Sequence, residues 1–246
     1  MLIVSRLIAV LVAVVLGVQA VAQSRAEGPD STLLATGRLA SVVELPLYFR
    51  LYRVYVPAAK RASYQGSSAM LYDLSGAPAL ETEGGGVRPL AEGSGAFIAT
   101  GQAVTIAASA SAPTDLLLFL LTARPNERRP LFDRPAIVKE LYRTPDSLPG
   151  LRAGPYEFSL ARVTFPIGMP ASPAHYRTGA AVDYVLGGTG TLTANGKTEA
   201  LSTGMPFYQR FGWPYSLGNP GSVPFVLLQA NISREGDPAV HPVTEK

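Results

Sequence analysis

Few side chains in this 246-residue chain suit metal chemistry: it holds two histidines, His175 and His241, and no cysteine. A catalytic zinc or iron site takes about three protein ligands, and two histidines far apart in sequence do not supply them. The densest group of chemically capable residues is the stretch HYRTGAAVDYVLGGTGTLTANGKTEALSTGMPFYQRFGWPYSLGN, from His175 to Asn219. Side chains alternate between faces along a strand, so His175, Arg177 and Asp183 share one face unless a bulge intervenes. A guanidinium buried alone is costly, and one paired with a carboxylate much less so. Arg177 and Asp183 therefore read either as a buried polar cross-link or as part of a pocket in which Arg177 grips an anionic or carbonyl group.

Other chemistries find less support. Ser63 and Ser216 lack the accompanying His and Asp that would make either a nucleophile. Gly187-Gly188-Thr189-Gly190 is followed by no Lys-Ser or Lys-Thr, so it is a poor phosphate loop. Asp73 has only small neutral companions, Ser63 and Gln65, in reach by strand parity, which makes it a hydrogen-bonded core residue more readily than an acid or base. A net charge of +3, scattered along the chain, gives no footprint for nucleic acid.

The elements that must position these residues are strands. Charged residues make up only 16%, and 24 glycines and 21 prolines punctuate short β-branched and aromatic runs. Runs at 47–56, 69–74, 96–99, 103–107 and 115–123 fit strands, and so do 157–165, 181–186, 190–194, 206–211 and 224–232. Asn195-Gly196 is the favoured pair for a two-residue hairpin turn. Upstream, Arg6 precedes LIAVLVAVVLGV, and Ala20-Val21-Ala22 follows it. An apolar core this short, with a small-x-small site after it, reads as a cleaved signal peptide over 1–22 rather than a membrane span of about 20 residues. Residues 23–32 read as a loose leader.

The two halves repeat each other. FRLYRVYVP at 49–57 matches FSLARVTFP at 158–166, about 110 residues further on. At nearly the same spacing, Tyr72, Leu74 and Gly76 match Tyr184, Leu186 and Gly188, and Leu90, Gly93 and Gly101 match Leu201, Gly204 and Gly212. Between the copies lies a segment rich in proline and arginine, which reads as a solvated connector over 123–149. Residues 136–143 within it fit a strand or a short helix.

The second copy resembles the cupins, and the whole chain resembles a bicupin. The second cupin motif runs Gly, five residues, Pro, one, Gly, two, His, three, Asn. Here Gly204, Gly212 and Asn219 stand in register, with Arg210 in the proline place and Tyr215 in the histidine place. In the first motif, His175 holds the first histidine place, Arg177 the second and Ala181 the glutamate place, with Gly188 at its end. The corresponding places in the first copy are Ser63, Gln65, Ala69 and Val104.

This resemblance implies an all-β protein of two tandem jelly-roll barrels. They span 33–122 and 150–234, with a polar tail at 235–246. It also implies that the metal ligands are mostly gone, so no metal, cofactor or catalytic residue is expected. The leading expectation is an exported, periplasmic or extracellular, non-catalytic module that binds a small polar or sugar-like ligand. Its binding residues are His175, Arg177, Asp183, Tyr208, Trp213 and Tyr215. The alternatives are a metal-dependent cupin enzyme of isomerase, lyase or dioxygenase type, and a structural protein whose barrels are filled by side chains. Apart from a small-molecule ligand, no nucleic acid and no membrane after cleavage are expected as partners. A homo-oligomer stays open.

Overall fold

The computed structural model describes residues 28–40, 46–123 and 130–243. The expected signal peptide over 1–22 lies outside the described residues. Among the described residues the regular elements are all strands. The N-terminal half supplies β1 (Asp30–Leu39), β2 (Tyr48–Val56), β3 (Arg61–Gln65), β4 (Ala69–Ser75), β5 (Ala79–Thr82), β6 (Val87–Pro89), β7 (Gly95–Ile98), β8 (Ala103–Ala107) and β9 (Thr114–Thr122). Next comes β10 (Ile137–Arg143). The C-terminal half supplies β11 (Tyr156–Phe165), β12 (His175–Tyr176), β13 (Ala180–Gly187), β14 (Thr189–Ala194), β15 (Lys197–Ser202), β16 (Pro206–Gln209), β17 (Tyr215–Gly218), β18 (Phe225–Arg234) and β19 (His241–Pro242).

Antiparallel pairing builds two barrels of two sheets each. The first combines β10-β2-β9-β4-β7 with β3-β8-β5-β6, and the second combines β1-β11-β18-β13-β16 with β15-β14-β17-β12-β19. The sheets β10-β2-β9-β4-β7 and β1-β11-β18-β13-β16 pack against each other, so their central strands are buried on both faces. This is why DLLLFLLT in β9 and FVLLQANIS in β18 read as nearly unbroken apolar runs rather than alternating ones. Met70 and Tyr72 of β4 face the layer between the barrels with Phe49, Phe119, Phe158 and Leu228, while Ala69 and Leu71 face the first barrel's interior. In that middle layer the Phe49 and Phe158 rings lie 5.9 Å apart and Phe97 meets Phe158 edge-on.

The glycines shared by the two copies take positive φ in both. The pairs are Gly76 and Gly188, Gly93 and Gly204, and Gly101 and Gly212. A side chain there is strained, so the repeat kept glycine where each turn requires it. Asn195 and Gly196 also take positive φ, as the expected hairpin turn between β14 and β15 demands.

Four expectations are corrected. Residues 30–39 are not part of a loose leader or of the first barrel: β1 pairs along β11 and completes the second barrel's sheet. The connector is not merely a solvated tie, because β10 pairs with β2 and completes the first barrel's sheet. The polar tail contributes β19, which pairs with β12 and stacks the His241 ring on Tyr176. In the first copy the parity is one residue off: Ser63 and Gln65 face solvent and Tyr64 faces inward. Tyr64 pairs with Val104 as His175 pairs with Tyr215, so Tyr64 holds the place of His175.

Candidate functional site

The two barrel interiors differ. The first is filled by Val54, Tyr64, Leu71, Ile98, Ile106 and Leu118 with their neighbours. Tyr64 is fully buried, donates to the Ser67 carbonyl at 2.5 Å, and packs its ring 5.3 Å from Phe132. Asp73 lies in this half, fully buried, accepting from the Ala77 backbone N–H at 2.9 Å. Burial pushes its carboxyl up to about 6 against the pull of those backbone bonds. It is a core residue, far in orientation from Ser63 and Gln65.

The second barrel keeps a cavity of about 340 Å³. His175, Arg177, Tyr215 and Gln229 stand on its wall toward one end, with Val240 near them beside the strand that pairs with Tyr176, and Val163, Phe165, Leu217 and Ser172 stand toward the other. Pro29 and Ser31, at the start of the incoming strand β1, close one side.

Local structure explains why these groups meet. The chain leaves β12 at Tyr176 and enters β13 at Ala180, with Gly179 between them so close to β18 that a Cβ would sit 1.7 Å from the Ile232 carbonyl oxygen. Arg177 falls in this break and turns inward. It is 2% exposed, and its Nε–H donates to Gln209 Oε1 while an Nη1–H donates to Asn231 Oδ1 at 2.8 Å. Gln209 and Asn231 are the residues paired with Ala181 on either side in the sheet. The small alanine in the glutamate place thus leaves room for a guanidinium held by two amides.

Asp183 faces the same interior and is fully buried, but it accepts from Gln229 Nε2 at 2.9 Å, and no ion pair joins it to Arg177. The expected direct Arg177–Asp183 cross-link is therefore replaced by three amide side chains. Burial pushes the Asp183 carboxyl up to about 7, with Arg177 and Gln229 pulling the other way. Its Oδ2 has no partner, and it does not reach the cavity wall.

His175 lies edge-on to Tyr215, ring centres 4.2 Å apart, with Nδ1 3.0 Å from the Pro173 carbonyl. A carbonyl only accepts, so Nδ1 carries the proton. Burial, followed by the Arg177 charge, lowers the imidazole's pKa. The Tyr215 hydroxyl is pushed up to about 12 by burial, although the Arg177 charge beside it acts the other way. That hydroxyl has no partner of regular hydrogen-bond geometry. The polar end thus offers a fixed cation, a neutral imidazole and a phenol that keeps its proton, an arrangement suited to holding an electron-rich oxygen.

Tyr208 and Trp213 do not belong to this cavity. Strand alternation sends Phe207 and Gln209 inward and Tyr208 to the opposite face. Trp213 is 43% exposed beneath the Arg210 guanidinium, and both aromatics line a separate cleft of about 210 Å³ with Pro145, Asp146 and Pro149. Asn219 stitches the barrel mouth: its Nδ2 donates to the Phe165 and Val223 carbonyls, and its Oδ1 accepts from Gly221 N–H. Gln209, Gln229 and Asn231 were not foreseen. For Gln229 and Asn231 the signal was present in PFVLLQANI, where two amides two residues apart continue the inward face of Phe225 and Leu227, and for Gln209 it was its alternation with Phe207 in PFYQRF.

Among the described residues no three His, Cys, Asp or Glu side chains converge to hold a metal ion. The residues in the cupin ligand places, His175, Arg177, Ala181 and Tyr215, do not fit one, since a guanidinium projects among them.

This chain has the cupin fold in its two-barrel form. It is similar to an oxalate decarboxylase variant from Bacillus subtilis, with a TM-score of 0.56 and 13% identity over 88% of this chain and 76% of that one. A second oxalate decarboxylase structure gives 0.54 and 14%, covering 88% and 81%. AerE from Microcystis aeruginosa gives 0.55 and 12%, covering 82% of this chain and 99% of that one. No protein-family model and no curated protein matches the sequence. At such identities the likeness defines the fold alone.

Proposed function

We propose that this is an exported small-molecule-binding protein whose second barrel holds the ligand without catalysis and without the usual cupin metal. One observation carries the reading: of two barrels built to one plan, the first is lined by large buried apolar side chains, Tyr64 in the place of His175 among them, and the second keeps a cavity of about 340 Å³ with Arg177, His175 and Tyr215 at one end. A volume of this order, mostly apolar with a few convergent polar groups, is what a small-ligand site offers. The filled-barrel alternative describes the first barrel only. The metal-dependent alternative would need ligands that the second barrel's places do not provide.

The test is direct. Protein recovered from its export route without chelator or histidine tag is expected to begin at Gln23, to carry far less than one equivalent of iron, manganese, zinc or nickel, and to gain thermal stability with small polar solutes. Near-stoichiometric metal whose removal abolishes solute binding would overturn the metal-independent reading. An intact Met1 terminus on cytoplasmic protein would overturn export.

A further inference from the structure

The polar end of the cavity is unbalanced in a way that specifies its occupant. A guanidinium has five N–H donors, and Arg177 uses two of them on neutral amide oxygens. Those bonds satisfy hydrogens but give the charge no ion pair: among the described residues no carboxylate lies within ion-pair distance of Arg177. Asp183, the carboxylate whose charge it feels, is bonded to Gln229 and stands off the cavity wall. Two further donors nearby are buried and unmatched, the Tyr215 hydroxyl and Gln209 Nε2. The surplus is therefore of donors and of positive charge together.

The opposite end has contrary demands. Val163, Phe165 and Leu217 offer no hydrogen bonds from their side chains, and the hydroxyls beside them are those of Ser31 and of Ser172, whose Oγ already accepts from the Leu217 N–H at 3.2 Å, so most of a sugar's hydroxyls placed there would be buried without partners, each at a cost. Resting on the reading of this barrel as a binding site, we propose that its ligand is a small amphipathic monocarboxylate: the carboxylate sits on Arg177 and Tyr215, and an apolar body lies toward Phe165 and Leu217. At roughly 30 Å³ per water-sized group, the cavity takes about ten non-hydrogen atoms. The planar fork of an arginine matches a carboxylate in two-point contact, the strong form of such bonds. A compact apolar body then adds burial without further polar partners.

Calorimetric titration of the mature chain with benzoate and hexanoate, their neutral counterparts benzamide and hexanamide, glucose and inorganic phosphate separates the outcomes. The carboxylates are expected to bind one to one, at least about tenfold more tightly than the amides. Arg177→Gln is expected to abolish that tenfold preference. Should that variant not fold, Tyr215→Phe, which removes one donor only, is expected to weaken benzoate several-fold and benzamide less. Equal binding of benzoate and benzamide, preference for glucose, or phosphate binding as tightly as benzoate would overturn the monocarboxylate while leaving a ligand-binding barrel in place. No binding by any of the solutes would overturn both.

Discussion

Replacing Asp183 with asparagine should change how the protein's stability depends on pH. The carboxyl is fully buried with one oxygen unpartnered, and its pKa stands at about 7 against an ordinary 3.8. A raised folded-state value means that the folded chain holds this proton more tightly than the unfolded chain. Stability is therefore greatest in acid and falls as pH rises from about 4 through about 7. With those two values, the carboxyl withdraws about 3 kcal/mol of stability between pH 5 and pH 8, and about 4 kcal/mol in all. Asparagine keeps the shape and the acceptor for Gln229 while removing the ionisation. Urea denaturation at closely spaced pH should give a parent curve that falls toward neutrality and a variant curve flatter by about 3 kcal/mol over that window. Asp73, raised to about 6, contributes a further decline that both proteins share. Parallel curves for parent and variant would refute the claim that Asp183 is held in an environment hostile to its charge.

Three other perturbations test separate parts of the architecture. Because Arg177 bonds Gln209 and not Asp183, a double-mutant cycle on Arg177 and Gln209 should give a coupling of about 1–3 kcal/mol, exceeding that for Arg177 and Asp183; the reverse order would restore the direct cross-link. Tyr64→Ala should open the first barrel at a cost of about 3–5 kcal/mol in chemical denaturation while leaving ligand affinity in the second unchanged. Gly179→Ala should lower the denaturation midpoint by the equivalent of at least about 3 kcal/mol, since its Cβ would meet the Ile232 carbonyl oxygen. Gly187→Ala, with open space around it, should cost under about 1 kcal/mol.

The fold was legible because its information is local and repeated. Turn glycines at matched positions require positive φ, and glycine is the residue that takes it without strain. The resemblance to the cupin motifs put His175 and Tyr215 in ligand places on opposite strands, and the two residues pair in the sheet. What escaped reading depends on relations between strands. A one-residue offset in β3 turned Ser63 and Gln65 outward, and alternation in β16 turned Tyr208 away from the cavity. Neither offset leaves a mark in the composition of the segment. The amides that hold Arg177 come from β16 and β18, far along the chain, and nothing within β12 announces them. Strand β1 was the hardest element to place, since DSTLLATGRL carries no label saying which half of the chain it joins.

Strand β1 and its counterpart β10 also decide how the two halves hold together. Each repeat lends its leading strand to the other: β1 borders β11, and β10 borders β2. A lone repeat would expose an unpaired sheet edge while carrying a spare strand that fits the same edge on a sister molecule, so its stable form would be an interlocked homodimer. In this chain both exchanges are made within one molecule, so these pairings tie the two halves together. The two exchanged strands also differ in surroundings: one brings Pro29 and Ser31 to the wall of a cavity, and the other borders a barrel whose interior is apolar and buried.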